Sequence, residues 1–301
     1  MTLRKTLKTL AYCVAGLVAL LLVAVTFIYA LSSRRLARRQ QIQVASVAIP
    51  TSAAAIERGR HIVTTRACGD CHGADFGGHK VIDDPLAGEL HGPNITRGVG
   101  GLPTDFSDSD YVRSIRHGLS RDGRSYILMP SIEYADISDE DLGAVIAYLK
   151  SLPAVNRARG PVSPGPLVRL LILTGEIKLA AEHIDHAASR APAVAVTTSV
   201  EYGKYLASSC MGCHGPNLSG GKIPGTPPDW PAAANLTSHQ SSRLTQWSEE
   251  QFIQTVRTRQ RPDGSALSPI MPAAFAQLTD VELKALWIYI KSLPAAPTGE
   301  R

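Results

Sequence analysis

Cys68-Gly69-Asp70-Cys71-His72 decides how the rest of the chain is read, because the pattern returns as Cys210-Met211-Gly212-Cys213-His214. Two cysteines two residues apart, followed at once by histidine, form the pattern of covalent haem attachment. The spacing suits that chemistry: both thiols reach the two vinyl groups along one porphyrin edge, and the adjacent His turns inward toward the iron. A single copy would also be compatible with a chance match, a zinc ligand pair or a thiol-redox pair.

Two copies in the same context narrow the choice. Each motif His is followed 57 residues later by a Met-Pro pair, Met129-Pro130 and Met271-Pro272, in a chain that has four Met in all. The soft thioether of Met favours ferrous iron, raises the potential and closes the last coordination position, which suits electron carriage and leaves no place for a substrate. The following Pro biases each Met toward extended backbone, as in a loop stretched across a haem face. The alternative role for either Met is filling a gap in the core.

Working outward, 301 residues with 44% hydrophobic and 19% charged side chains are an ordinary globular composition for about two domains. The net charge is +5, but Arg4, Lys5, Lys8, Arg34, Arg35, Arg38 and Arg39 precede residue 41 with no acid among them, leaving −2 for the remainder. Residues 41–155 carry −5 and residues 156–301 carry +3, an asymmetry that can steer different partners to the two ends or mean only solvated faces. Nothing in the chain points to nucleic acid.

Leu10 to Leu31 is an uncharged run of 22 residues, where about 20 suffice to cross a bilayer as a helix. It reads as a membrane anchor; a cleaved signal peptide is the second reading, disfavoured by an apolar core longer than the roughly 7–15 residues usual there. Three cations precede the run and four Arg follow it, so charge bias alone puts the wrong end inside. Cys13, at the start of the run, is a small lipid-facing residue and not a lipoprotein site.

The two halves repeat in their helices as well. Ala54 to Val63 leads into the first motif, and Thr198-Ser199-Val200-Glu201 reads as a capping box before the second. Asp110 to His117 matches Gln251 to Thr258 as a middle helix. Ser138-Asp139-Glu140-Asp141 and Thr279-Asp280-Val281-Glu282 cap apolar runs with i, i+3, i+4, i+7 spacing, and both runs end in Lys-Ser-Leu-Pro. Asn94-Ile95-Thr96 and Asn235-Leu236-Thr237 stand at matching places. They read weakly as glycosylation sequons and better as a loop that hydrogen-bonds at the haem side.

In this order of motifs the chain resembles diheme members of the cytochrome c family over roughly residues 53–155 and 199–295, and is similar to the c-type subunits of membrane-bound alcohol and sugar-acid dehydrogenases. Those subunits commonly carry three haems, whereas this chain has two motifs. Soluble diheme cytochromes and c-type subunits of terminal oxidases are similar in kind. The resemblance implies an all-α fold with two tandem cytochrome c domains after an N-terminal transmembrane helix. It also implies two covalent c-type haems: thioether bonds at Cys68, Cys71, Cys210 and Cys213, proximal iron ligation by His72 and His214, and distal ligation by Met129 and Met271. Gly59 and Gly203 resemble the glycine at which the first and last helices of that fold cross. Because the family acquires its haem outside the bacterial cytoplasmic membrane, the resemblance places the haem domains on the periplasmic side, against the charge bias.

The expected organisation is a cytoplasmic stub and anchor over 1–40 (span 10–31), a first domain over 53–155, a linker over 156–197 and a second domain over 198–301. Within the linker, Leu167 to Leu173 is too short to span a membrane and should pack on a haem domain or a partner, with an interfacial helix as second choice. His183 and His186 on a helix are remote candidates for metal, and His61, His79, His91, His117 and His239 remoter still. The expected function is single-electron transfer between respiratory or photosynthetic protein partners, with no catalysis and no small-molecule substrate. A dehydrogenase or oxidase subunit is the alternative, a diheme peroxidase is less favoured, and a chiefly assembly role is a third possibility.

Overall fold

The computed structural model describes residues 3–188, 190, 192–227 and 229–300. The remaining positions, at the outer ends of the stub and second domain and within the linker and second domain, lie outside the described residues.

Helix α1 (Leu3–Leu36) contains the uncharged run and is long and apolar enough to cross a membrane, with none of its most apolar stretch buried by the rest of the chain. The segment that follows does more than connect. Gln40 N–H donates to the Gly123 carbonyl at 2.8 Å, and Val44, Val47 and Ile49 pack against the core of the first lobe.

That lobe comprises α2 (Ala53–Thr65), α3 (Cys68–His72), α4 (Asp108–His117) and α5 (Asp139–Ser151). Ser52, Ser107 and Ser138 are the N-caps of α2, α4 and α5, each accepting a backbone N–H that would otherwise lack a partner. The middle helix starts two residues earlier than expected, because Ser107 and Asp110 form a reciprocal capping box. Helices α2 and α5 cross at Gly59, where any Cβ would collide with the Ala144 carbonyl. Their contact encloses Val63, Leu142, Ile146 and Leu149.

A three-stranded antiparallel sheet of β1 (His79–Asp84), β2 (Gly88–Gly92) and β3 (Val162–Pro164) was not expected from an all-helical reading. Its tight turn is local chemistry: Asp84 Oδ1 accepts Leu86 N–H at 2.8 Å and Ala87 N–H at 2.7 Å, and Gly88 takes φ +95°. The strands are short and lack apolar alternation, so periodicity gave no sign of them.

Helix α6 (Pro166–Thr174) follows β3 and packs along the C-terminal turns of α1. Val168 and Ile172 of α6 face Leu36, Ile127, Ile177 and Leu179, in line with a short apolar helix packing on the first lobe.

The second lobe repeats the first as α7 (Val200–Ala207), α8 (Met211–His214), α9 (Glu249–Thr258) and α10 (Asp280–Ser292). Gly203 lies against the Ala285 carbonyl as Gly59 lies against Ala144. The expected Thr198 capping box does not form; Ser199 is the N-cap and accepts Tyr202 N–H, which leaves Glu201 one position too early to reach back. The core here joins Ala207, Leu218, Leu283, Leu286 and Ile290.

The lobes pack about an approximate two-fold relation made by equivalent positions. His61 on α2 meets Glu282 at the start of α10, with 2.9 Å from Nε2 to each carboxylate oxygen. Tyr205, its counterpart on α7, donates to Asp141 at the start of α5 at 2.7 Å. Within each lobe the same carboxylate is held a second time, Asp141 by Arg58 and Glu282 by Tyr202. Both carboxylates are buried, and burial pushes the Glu282 pKa up while the bonds from His61 and Thr279 outweigh it and hold it below the usual range.

Candidate functional site

Each Cys-x-x-Cys-His stretch is helical and set between a preceding helix and a loop, α3 spanning its whole motif while Cys210 ends a 3₁₀ turn (Ser208–Cys210) that runs into α8. In α3 the turn is entered through Ala67 in left-handed conformation (φ 56°) and left through Gly73 (φ 80°); α8 is left through Gly215 (φ 78°). The loop beyond is duplicated bond for bond. Phe76 N–H donates to Gly73 O and Leu218 N–H to Gly215 O, both at 3.0 Å, while Gly78 N–H and Gly220 N–H donate to the motif carbonyls of His72 and His214, both at 2.8 Å. Phe76 and Leu218 both take positive φ, 56° and 54°. The parallel Gly73-x-Asp75-Phe76-x-Gly78 and Gly215-x-Asn217-Leu218-x-Gly220 is the sequence signal that would have found this loop.

The same geometry fixes both motif histidines. His72 Nδ1–H donates to the Pro93 carbonyl at 2.8 Å and His214 Nδ1–H to the Ala234 carbonyl at 2.7 Å. A carbonyl can only accept, so the proton sits on Nδ1 and Nε2 carries the lone pair, the tautomer a metal-binding imidazole needs. Burial pushes the His72 pKa down, against the opposing effect of the Pro93 bond, so the ring is neutral at pH 7.

Those two carbonyls are held by the repeated Asn-x-Thr segments. Asn94 Nδ2 donates to Val155 O at 2.7 Å, and its Oδ1 accepts Thr96 N–H at 2.9 Å and Thr96 O–H at 2.8 Å. Asn235 repeats this with Ala296 O at 2.8 Å and Thr237 at 2.9 and 2.8 Å. Each Asn ties the loop to the segment just past the last helix of its lobe, one residue beyond the carbonyl that orients the histidine. At 1% and 4% exposure these side chains are out of reach as glycosylation sites.

Burial pushes the Cys68 and Cys210 thiols up to about 12 and raises Cys71 as well. Thiol-redox and thiolate-metal chemistry work through the thiolate, so these environments fit neither. Met129 and Met271 are half-buried in non-helical backbone, and each Pro that follows opens a 3₁₀ turn, Ser131–Glu133 and Ala273–Gln277.

The two motifs lie on a shared seam. Arg66, two residues before Cys68, donates from Nη1 to Ser208 Oγ at 3.0 Å and to Ser209 Oγ, the residues just before Cys210. Glu133, four residues after Met129, lies against Gly212 in the opposite motif; burial pushes it up to about 7, with Arg66 opposing. Tyr134 O–H donates to Arg66 O at 3.3 Å. Sequence reading missed Arg66, Glu133 and Tyr134, because no repeat marks a contact that joins the two halves.

His79 and His183 are exposed, and five other histidines, His61 among them, are engaged with side-chain or backbone partners. His183 ends a 3₁₀ turn (Ala180–Glu182) and His186 lies beyond it, so the two do not share the helix expected of them. His186 Nε2–H donates to Ala181 O and Gln40 Oε1, each at 3.1 Å, and its Nδ1 accepts from His117 Nδ1–H at 3.0 Å. His91 pairs with Glu89 at 2.8 Å and His239 with Ser241 at 2.8 Å.

Comparison with known proteins agrees with this geometry. The cytochrome c family model matches twice, over residues 56–153 and 200–294, which together make up more than half of the chain: it belongs to the cytochrome c family. As such it binds haem c and serves electron transfer. Over 284 residues it is 27% identical to a gluconate 2-dehydrogenase cytochrome c subunit of Pantoea cypripedii, covering 82% of this chain and 61% of the relative. It is 27% identical to the cytochrome c subunit of a quinone alcohol dehydrogenase of Gluconobacter oxydans, covering 82% and 56%, and 26% identical to a diheme c-type cytochrome of Cereibacter sphaeroides, covering 79% and 86%. The chain thus spans about three-fifths of the dehydrogenase subunits it matches and most of the diheme cytochrome.

Proposed function

We propose that the protein is a membrane-anchored diheme cytochrome c that passes single electrons between protein partners on the periplasmic side of a bacterial cytoplasmic membrane. Cys68 and Cys71 in the first lobe, and Cys210 and Cys213 in the second, would form the thioether links. His72 and His214 would bind iron through Nε2, and Met129 and Met271 through sulfur. Haem so bound supplies a reversible one-electron couple.

The observation that carries the reading is the duplicated clamp from Asn-x-Thr through a backbone carbonyl to the motif His, which holds Nε2 in its ligating tautomer in both lobes. Around it the chain excludes water and restricts motion. The half-buried cysteine positions, the loops bonded back to the motif carbonyls and the half-buried Met segments keep the ligating atoms in fixed surroundings, which lowers the reorganisation that accompanies each electron. The seam through Arg66, Ser208, Ser209 and Glu133 supports transfer between the lobes without a second protein.

Service as the cytochrome subunit of a membrane-bound dehydrogenase is the second reading, favoured by the relatives from Pantoea cypripedii and Gluconobacter oxydans. A peroxidase would need one openable iron position, and the second Met, placed like the first, weighs against it.

The test is a pair of single variants, Met129→Ala and Met271→Ala, in the purified full-length holoprotein. Each should abolish the thioether-to-iron charge-transfer absorption of one haem and lower one midpoint potential, within the roughly 0.8 V range that axial ligands set, while the other haem is unchanged. Unaltered spectra and potentials in either variant would overturn the ligand assignment.

A further inference from the structure

Helix α6 has two apolar faces and the chain covers only one. Val168 and Ile172 are 5% and 0% exposed in the cluster with Leu179, whereas Leu167 and Leu170 are 43% and 41% exposed on the other side. Leu86, 60% exposed, lies at the N-terminal end of α6, where its carbonyl accepts Leu167 N–H at 3.0 Å. We propose that this face lies in the membrane–water interface and seats the first lobe on the bilayer beside the exit of α1. The proposal rests on the anchor reading above and adds to it an orientation for the electron-carrying head.

Position argues for lipid as the occupant. A helix of 34 residues is about 51 Å long at ~1.5 Å per residue, well beyond the ~30 Å of hydrocarbon, so its ends must reach the headgroups. Leu10 to Leu31 fills the hydrocarbon, and α6 packs on the turns at and just past the end of that run. Arg169 donates to Ser32 Oγ at 2.9 Å and Ser33 Oγ at 3.1 Å, and its guanidinium stacks 4.4 Å from the Tyr29 ring centroid. Arg35 binds Glu182 at 2.6 Å and also donates to Ile172 O at the end of α6. These bonds hold α6 against the end of the apolar run of α1, where Phe27 and Leu31 are themselves 62% and 48% exposed.

Charge points the same way. Arg34 and Arg38 are exposed at and just past the C-terminal end of α1, at the level where cations meet anionic phosphate. An amphipathic helix with leucines on one side and Arg nearby is suited to the acyl boundary.

The test uses the full-length holoprotein with Cys13→Ser, reconstituted in vesicles of phosphatidylethanolamine and phosphatidylglycerol, with a nitroxide attached to Leu170→Cys, to Leu20→Cys in the anchor or to Lys284→Cys on the second lobe. Relaxation by oxygen and by a water-soluble nickel chelate reports depth, and haem absorption checks that each variant is folded. The label at 170 should favour oxygen over nickel several-fold relative to 284, as the label at 20 does. If 170 is as open to nickel as 284 while 20 remains in lipid, the seating is wrong and the anchor reading stands. If 170 is shielded from both reagents, protein covers the face and the lipid assignment is overturned. If 20 is itself open to nickel, the anchor reading fails and the seating with it.

Discussion

The first and second lobes share their helix plan, their crossing glycines and nearly every bond around their motifs, and differ in what is built around these. Loop closure behind the motif, the carbonyl that orients the histidine and the Asn-x-Thr clamp are the same to within a few tenths of an ångström. Away from them the first lobe has a sheet, a packed connector, α6 and the contact with α1, while among the described residues the corresponding part of the second lobe has one bridge, between Gly221 and Ala233. The iron ligation proposed for these residues would tolerate little variation in geometry, which accounts for the likeness; packing against α1 is needed only once. The interface shows an intermediate case, with His61 and Tyr205 at one equivalent position and Arg58 and Tyr202 at another, each still reaching a buried carboxylate.

The shared part breaks most sharply at the helix crossings. Gly59→Val and Gly203→Val each push a side chain into a facing carbonyl, and each should cost about 3 kcal/mol or more, measured as denaturant unfolding followed through haem absorption. Equal losses would sharpen the equivalence of the lobes. A large loss at one site with none at the other would break it.

Response to pH should separate them. His117 is 3% exposed, and burial, with His186, Arg190, Arg116 and Arg113 around it, lowers its pKa to about 4; Thr258 stands in its place in the second lobe. The unfolded chain, at about 6.5, takes up the proton first. Stability therefore holds above that value and falls as pH drops from about 6.5 toward 4, by about 1–2 kcal/mol between pH 7 and pH 5. Thermal unfolding of His117→Gln should show a slope reduced by that amount, and Thr258→Val should leave the slope as it is.

The smallest expected effect is at the C-terminus of the middle helices. Gly118 takes φ 64° without strain, whereas Arg259 takes φ 60° with a side chain attached. Arg259→Gly should relieve that conformation but lose the bond to Ser268 O at 3.0 Å, for a net change under about 1 kcal/mol in urea unfolding. Gly118→Ala, facing Ser131 Cβ at 3.1 Å, should instead destabilise.

Helix existence was legible wherever a cap and an apolar period coincided, as at Ser138 and Thr279, and only boundaries moved, as at Ser107 and Thr198. The candidate ligands were legible because spacing repeats. The repeated Asn was read as part of a hydrogen-bonding loop, but its route was not legible: Asn94 and Asn235 act through the carbonyls of Pro93 and Ala234, and a main-chain acceptor has no letter in the sequence. The His183 and His186 reading failed for a related reason, since three-residue spacing says nothing unless the backbone between them is helical.

By itself the sequence determined that there are two copies of one motif, an apolar run ahead of them and capped helices around each, because motif spacing, apolar runs and helix capping are matters of residue type at short range. Only the tertiary structure decided that Arg66 and Glu133 meet the opposite motif, that His61 and Tyr205 exchange carboxylates between lobes, and that α6 lies against the end of α1. Those contacts join residues far apart in the chain, where packing and burial choose the partners and no local pattern records the choice.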